Sequence, residues 1–370
     1  MEKKVLLITT GGTIAGNVAS NKKEEELIKD SNSFAEILSN TCKFIEKTAK
    51  IKVEIDHEPL CDVDSSDIRP EEWIQLAQLI KDRYDDYDSF LITHGTNTMG
   101  YTAAALSFSL ANLDKPVVIT GSQVPAGMPG SDAIANLENS LRTAVLDRKK
   151  GKAPIKGVMA VFGSHIITGT RVKKSTEFDY DAFKSFGENS IGRIGRIIDI
   201  NEANLAKHVS YLDTKRYESA RLGKDLICEN AFEMRIASLT EFPGMDPSIF
   251  ENLILHNDIK GFVLRAFGAG DPSTRLREAL VQLKNREIPI VITTQAPNGN
   301  SNFQVNEPGK EIAEANLAIP AYDMSIESQT TKLAWLLAKK AKKEISYKQL
   351  CEEMTTDLRG EVNARREGII

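Results

Sequence analysis

The chain has 370 residues, more than one minimal domain needs, so two domains are expected. Its 41% hydrophobic and 27% charged residues predict a folded, soluble protein and argue against a disordered one. The net charge of −5, with lysine and arginine spread along the chain, argues against a general nucleic-acid binder.

The cysteines and histidines are scattered through the sequence. The four cysteines form no CxxC pair and are typical of reduced thiols in a cytoplasmic protein, and a zinc site is not expected. The opening run MEKKVLLITTGG is too short for a signal sequence and ends without a cleavage site, so it predicts a β-strand. No apolar stretch approaches the ~20 residues of a membrane-spanning helix.

In the first half of the chain, short apolar segments alternate with longer amphipathic ones. Strands are predicted at 5–9, 52–55, 90–93, 116–120 and 157–162. Helices are predicted at 70–82, 99–111 and 132–146. This β-α-β-α order predicts a mainly parallel sheet with helices on both faces.

The alternation stops after Lys174 and resumes later in the chain. Residues 175–230 are mixed in charge and show no strong β-α signal. A second α/β series follows, with strands at 261–267 and 288–294 and helices at 275–286, 328–341 and 346–356. We therefore predict an α/β protein with a large N-terminal domain (1–205), a connection (206–230) and a smaller C-terminal α/β domain (231–370).

Polar clusters follow three of the predicted strands, where ligands bind in open α/β sheets. In TTGGTIAG (Thr9–Gly16), Thr13 follows two glycines whose backbone N–H groups can form an oxyanion hole. The GxGxxG spacing of a dinucleotide loop is absent, and a plain tight turn is the alternative. DVDSSD (Asp62–Asp67), taken alone, is better explained as a turn with a helix N-cap.

The third cluster, HGTNTM, covers residues 94–99. Thr96 supplies a second hydroxyl, and the helix predicted from Met99 directs the positive end of its dipole at the cluster. Lys174, in TRVKKST, can act as a general base for a threonine hydroxyl if it is buried. Most lysines are exposed, and an exposed Lys174 would have no such role.

Together these segments resemble the bacterial-type L-asparaginase family and, within it, the cytoplasmic type I branch. TGGTIAG resembles the first family signature and ITHGTNTM the second, which is usually HGTDTM; GSQVP, SDAIANLENS, LRAFGAG and LRGEV resemble type I segments. The similarity covers almost the whole chain. It implies a large N-terminal and a smaller C-terminal domain, and active sites where two subunits meet. It also implies a homodimer or homotetramer, a small amide substrate and no cofactor.

The resemblance also implies roles for individual residues. Thr13 would be the nucleophile that forms an acyl-enzyme, with backbone amides near Gly12 and Thr96 stabilising the oxyanion. Thr96 and Lys174 would form the activating pair. The substrate would be held by residues of three segments: Asp64, Ser65, Ser66, Asn97 and Ser122.

Three positions depart from the family pattern. Asn97 replaces the usual Asp, which neutralises the substrate's α-ammonium and orients the lysine; losing one partner of a buried charge pair costs about 2–5 kcal/mol. Residues 14–45 lack the lid tyrosine. Asp271 stands where type I relatives commonly carry Asn, in a loop that reaches the neighbouring subunit's site. Asp271 either restores the lost carboxylate or merely caps the helix at 275–286. Ala296 replaces a cysteine of a regulatory site, so allostery is not carried over.

Two other functions stay open beside hydrolysis of L-asparagine. The chain could cleave a related amide whose α-amino group is absent or blocked, which the loss of Asp and Tyr favours. It could also be a weakly active relative that binds Asn or Asp, although the retention of Thr13, Thr96 and Lys174 argues against this. A tRNA-dependent amidotransferase subunit is a weaker version of the first, because the charge is acidic and no extra N-terminal domain is present.

Overall fold

A computed structural model describes residues 1–11, 31–126, 128–212 and 225–363 of the chain. They form two compact units, Met1–Asn230 and Ala231–Ile370. The division falls at the C-terminal limit of the predicted connection 206–230, part of which lies outside the described residues.

The first unit is built mainly from strands that alternate with helices. In chain order its described elements are β1 (Glu2–Thr9), α1 (Ser31–Ala49), β2 (Lys52–Pro59), α2 (Pro70–Asp82), β3 (Ser89–Thr93), α3 (Met99–Ser109), β4 (Leu110–Ala111), β5 (Pro116–Thr120), α4 (Ala133–Ala144), β6 (Gly157–Phe162), β7 (His165–Thr168), β8 (Val172–Lys174), β9 (Phe183–Ser185), β10 (Gly192–Ile194), β11 (Ile198–Ile200), α5 (Glu202–Leu212) and β12 (Ile227–Cys228).

An eight-stranded sheet is the centre of this unit, in the order β11-β10-β7-β6-β5-β3-β1-β2. The five strands from β6 to β2 are parallel, and β7, β10 and β11 extend the sheet in antiparallel pairs. Two short pairs, β4 with β12 and β8 with β9, lie outside it. The prediction of a mainly parallel sheet is therefore confirmed.

Alternate residues of the central strands pack on opposite faces of the sheet, which explains why these strands are apolar throughout. Leu6 and Ile8 of β1 belong to a core that includes α2 and α3. Val5 and Leu7 belong to a second core that includes α1 and α4. Each buried Leu or Ile side chain contributes about 1.5–3 kcal/mol, so burial on both faces fixes the sheet.

The region after Lys174 has more regular structure than its sequence indicates. Strands β9, β10 and β11 are each three residues long, and α5 follows them directly. Three residues cannot show a clear period-2 pattern, so the sequence carries no signal for them.

The second unit is a smaller α/β layer. Its described elements are β13 (Ile236–Thr240), α6 (Ser248–Asn257), β14 (Gly261–Ala266), α7 (Arg277–Asn285), β15 (Ile290–Thr294), α8 (Glu307–Glu314), β16 (Ile319–Pro320), α9 (Ile326–Ala341) and α10 (Tyr347–Thr355). The four strands are parallel and follow one another in the order β13-β14-β15-β16. No helix in the described ranges combines the length and apolar character needed to span a membrane.

Candidate active site

The carboxyl ends of four parallel strands bring the polar clusters of the first unit to one edge of the sheet. In the pairing register, Thr9 lies opposite both Pro59 and Thr93, and Thr93 lies opposite Thr120. The loops that leave β1, β2, β3 and β5 therefore start side by side. This edge is where open parallel sheets bind ligands.

The first loop is described only as far as Gly11. Gly11 has φ +90°, and a Cβ on it would lie 2.5 Å from the backbone N and O of Val63, so only glycine fits against the 62–67 loop. Thr13, the predicted nucleophile, lies outside the described residues, as do Gly12 and most of the segment in which a lid tyrosine is missing.

Lys174 and the HGTNTM loop meet at this edge. The Lys174 Nζ donates to Thr96 Oγ1 at 3.1 Å and to Asn97 Oδ1 at 3.2 Å, and it lies 2.9 Å from the Glu177 carboxylate. Three acceptors match the three N–H donors of a lysine ammonium. The Lys174 side chain is 15% exposed, so the lysine is largely withdrawn from solvent, as a catalytic role requires. Glu177 was not among the residues predicted from the sequence.

The 62–67 loop packs directly against HGTNTM. Ser65–Asp67 forms a short 3₁₀ helix capped by Asp64, whose Oδ1 accepts from the Ser66 N–H at 2.7 Å. Hydrogen bonds from the Ser66 backbone and hydroxyl hold the pKa of Asp64 below its usual value. Asn97 Nδ2 donates to Ser66 Oγ at 3.0 Å, and Thr98 Oγ1 donates to the Ser65 carbonyl at 2.6 Å. The loop is thus a capped turn and also a neighbour of Thr96.

Ser122 follows β5 at the same edge. It is buried, and its Oγ has no hydrogen-bond partner within the described part of the chain. Two residues at the start of α4 hold the Ser122 loop. The carboxylate of Asp132, just before α4, accepts from the N–H groups of Gln123 and Val124. Within α4, Asn136 Nδ2 donates to the Gly121 carbonyl. Asp132 and Asn136 lie four residues apart in the SDAIAN segment. The sequence indicates this segment only as a family resemblance and not as a support for the Ser122 loop.

His94 belongs to a chain of hydrogen bonds that ends at the carbonyl of Gly95, the residue before Thr96. The Trp73 indole N–H donates to Thr102 Oγ1 at 3.0 Å, and the Thr102 hydroxyl lies 2.8 Å from His94 Nε2. His94 Nδ1 lies 2.6 Å from the Gly95 carbonyl, so Nδ1 carries the proton that it donates there. Burial lowers the pKa of His94 to about 4, which leaves the ring neutral at neutral pH.

Asp271 lies in the second unit, in a tight turn in which it pairs with Phe267. One carboxylate oxygen accepts a hydrogen bond from Asn306 Nδ2, and the other is buried without a partner among the residues described. The alternative that Asp271 caps the helix at 275–286 is wrong. A 3₁₀ turn at Thr274–Leu276 begins this element, and its N-cap is Ser273, whose N–H donates to Glu241.

Chemically, the edge offers a lysine in contact with a threonine hydroxyl, together with serine hydroxyls and the carboxylates of Asp64 and Glu177. This set can move protons and bind an amide with charged ends. Across the described residues, no group of three or more His, Cys, Asp or Glu side chains is placed to hold a metal ion.

Two family models match the chain: "Asparaginase, N-terminal" over residues 4–206 and "Glutaminase/Asparaginase C-terminal domain" over residues 235–348. L-asparaginase 1 of Escherichia coli is 33% identical over 98% of this chain and 99% of its own length. A glutamyl-tRNA(Gln) amidotransferase subunit of Aeropyrum pernix is 31% identical over 98% of this chain and 80% of its own length. The solved structure of the thermostable L-asparaginase from Thermococcus kodakarensis superposes with a TM-score of 0.77 at 27% identity, covering 98% of this chain and 99% of that one.

Proposed function

Because the chain belongs to the asparaginase family, we propose that it hydrolyses the side-chain amide of L-asparagine to aspartate and ammonia. The observation that carries this proposal is the 3.1 Å hydrogen bond from Lys174 Nζ to Thr96 Oγ1 at the carboxyl edge of the parallel sheet. Residues 78 positions apart in the chain meet there, with the 62–67 loop and Ser122 around them.

In this proposal, the reaction runs in two acyl-transfer steps. The Thr13 hydroxyl attacks the amide carbon and passes its proton through Thr96 to Lys174, which accepts it as a free amine, while backbone amides near Gly12 and Thr96 stabilise the oxyanion. The intermediate expels ammonia, which leaves with a proton, and an ester to Thr13 remains. Water then attacks this ester, aspartate departs, and the threonine hydroxyl is restored.

Substrate recognition is assigned to five side chains from the loops that start at this edge of the sheet. Asp64, with its carboxylate ionised at neutral pH, is suited to the substrate's α-ammonium. The hydroxyls and amide of the others can take the α-carboxylate and the amide itself: Ser65, Ser66, Asn97 and Ser122. Assembly into a homodimer or homotetramer stays a prediction of the family resemblance.

A second candidate keeps the chemistry and changes the substrate. Asn97 bonds Ser66 and Lys174 through a neutral amide, so it offers the α-ammonium no charge. An amide that lacks a free α-amino group, such as succinamate, would lose little from this change. This candidate rests on Asn97 and on the absence of a tyrosine from residues 14–45.

Ammonia release from a panel of amides tests both candidates. The panel contains L-asparagine, L-glutamine, succinamate and N-acetyl-asparagine, each with the unaltered chain, Asn97→Asp, Thr13→Ala and Lys174→Met. Hydrolysis of L-asparagine that both Thr13→Ala and Lys174→Met abolish supports the first candidate. Preference for succinamate, reversed by Asn97→Asp, supports the second. Tight binding of Asn or Asp without turnover of any amide would show a weakly active binding protein instead.

A further inference from the structure

We infer that Glu177 replaces residue 97 as the anionic partner of Lys174 and so positions this lysine for the reaction. The inference rests on the proposed function. Glu177 Oε2 lies 2.9 Å from Lys174 Nζ, closer than Asn97 Oδ1 at 3.2 Å. Residue 97 supplies only a neutral amide oxygen, whereas Glu177 supplies a full charge. Of the two roles that the family resemblance implies for this Asp, Glu177 takes over the contact with the lysine.

The backbone around Glu177 is held in place although its side chain is 63% exposed. Lys174 and Phe183 pair between β8 and β9, and the Ser175 N–H donates to the Ala182 carbonyl at 2.7 Å, which closes the loop between them. Gln123, next to Ser122, donates from Nε2 to the Glu177 carbonyl at 2.5 Å. Glu177 is thus fixed relative to the substrate loop as well as to the lysine.

The solvent exposure of the Glu177 side chain limits the free energy that the Lys174–Glu177 ion pair contributes. Solvent-exposed ion pairs typically contribute a few tenths to one kcal/mol, equivalent to at most about a fivefold change in rate. Asn97→Asp would place a second carboxylate beside the Lys174 Nζ, which residue 97 already contacts. The contribution of Glu177 should then become redundant, and this redundancy distinguishes a positioning role from a purely structural one.

A double-mutant cycle tests the inference. In the unaltered chain, Glu177→Gln should lower kcat about two- to fivefold with KM unchanged, equally for L-asparagine and succinamate. In the chain that carries Asn97→Asp, the same substitution should have almost no effect. Glu177→Asp should restore part of the lost kcat. Asp179→Asn, which removes the same charge two residues away, is the matched control and should leave kcat unchanged.

Three outcomes would overturn the inference. Equal losses with and without Asn97→Asp would show that residue 97 and Glu177 do not share a role. A loss as large in Asp179→Asn would show a general charge effect. A loss confined to substrates with an α-amino group would place Glu177 on the substrate instead of on Lys174.

A second measurement tests the Lys174–Glu177 contact without turnover. It therefore remains decisive if no amide is hydrolysed and the proposed function fails. Acylation of Lys174 by an amine-selective reagent at one fixed pH is followed by peptide mass spectrometry. Glu177→Gln should increase labelling of Lys174 severalfold over the unaltered chain and Asp179→Asn, because the Lys174 Nζ loses one of the three partners that hold it. Unchanged labelling would refute the contact.

Discussion

Removing the lysine from the buried Lys332–Glu361 pair should destabilise the second unit strongly. Both side chains are fully buried, and Lys332 Nζ donates to Glu361 Oε1 at 2.5 Å and to the carbonyls of Met354 and Thr356. Glu361 in turn accepts from the N–H groups of Leu358 and Arg359, which anchors the C-terminal segment LRGEV.

Lys332→Met would leave the Glu361 carboxylate buried without its counter-charge. Breaking such a pair costs about 3–5 kcal/mol, a large part of the 5–15 kcal/mol that stabilises a typical domain. Burial by itself would raise the pKa of Glu361, but Lys332 and the two backbone N–H groups outweigh it and hold this pKa below its usual value. The pair's stabilisation is therefore present above the unfolded pKa of ~4.3 and is lost as pH falls through the lower folded value.

Urea denaturation followed by fluorescence measures this effect, because buried Trp335 lies one turn from Lys332 on α9. Lys310→Met is the control, since it breaks an exposed pair with Glu307 in the same unit and should change little. A double variant, Lys332→Met with Glu361→Gln, should recover part of the loss. If Lys332→Met shifts the midpoint no more than Lys310→Met does, the buried pair does not stabilise the fold as argued.

Three further predictions concern Thr102, which supports His94, then Asp271, and a second buried histidine, His208, whose Nε2 lies 2.9 Å from the Lys156 carbonyl. Thr102→Val should lower the free energy of unfolding by about 1–3 kcal/mol, because it leaves the buried His94 Nε2 unpaired; Thr102→Ser, compared by urea denaturation, should not. Asp271→Asn should lower ammonia release at least tenfold if Asp271 provides the lost carboxylate from a neighbouring subunit, and unchanged release would disprove that idea. Burial lowers the pKa of both His94 and His208 to about 4, below the ~6.5 of an unfolded chain. Stability should thus be full above pH ~6.5 and decline towards pH 4, and His208→Gln should flatten the decline of the urea midpoint.

The sequence predicted elements accurately where a helix has one apolar face or where a strand is a continuous apolar run. The helix at 70–82 and the strands at 116–120 and 157–162 agree with the structure to the residue. Pro70 starts its helix because proline suits the first turn, and the helix predicted from Asp132 begins one residue later, at Ala133.

Other features were not predicted from the sequence. Helix α1 is one of them, although Ile37, Leu38, Cys42 and Ile45 recur at helical spacing and pack in the core. The contact of Lys174 with Thr96 came from the family resemblance, since sequence spacing says nothing about residues so far apart. Asp132 and Asn136 form hydrogen bonds with backbone groups, which every residue has, so the sequence does not reveal their partners. Asp271 and Ser273 are both residue types that favour N-cap positions, so the sequence alone does not decide which one caps the helix.

The hydrogen-bond chain under Thr96 has a fixed polarity. The Gly95 carbonyl can only accept, so His94 Nδ1 carries the proton, the unprotonated Nε2 accepts from the Thr102 hydroxyl, and that hydroxyl accepts from the Trp73 indole N–H. The peptide between Gly95 and Thr96 is trans, so its N–H points away from the carbonyl that His94 holds. Trp73, Thr102 and His94 thus fix the orientation of the Gly95–Thr96 peptide, whose N–H is the group that would face the oxyanion in the proposed reaction.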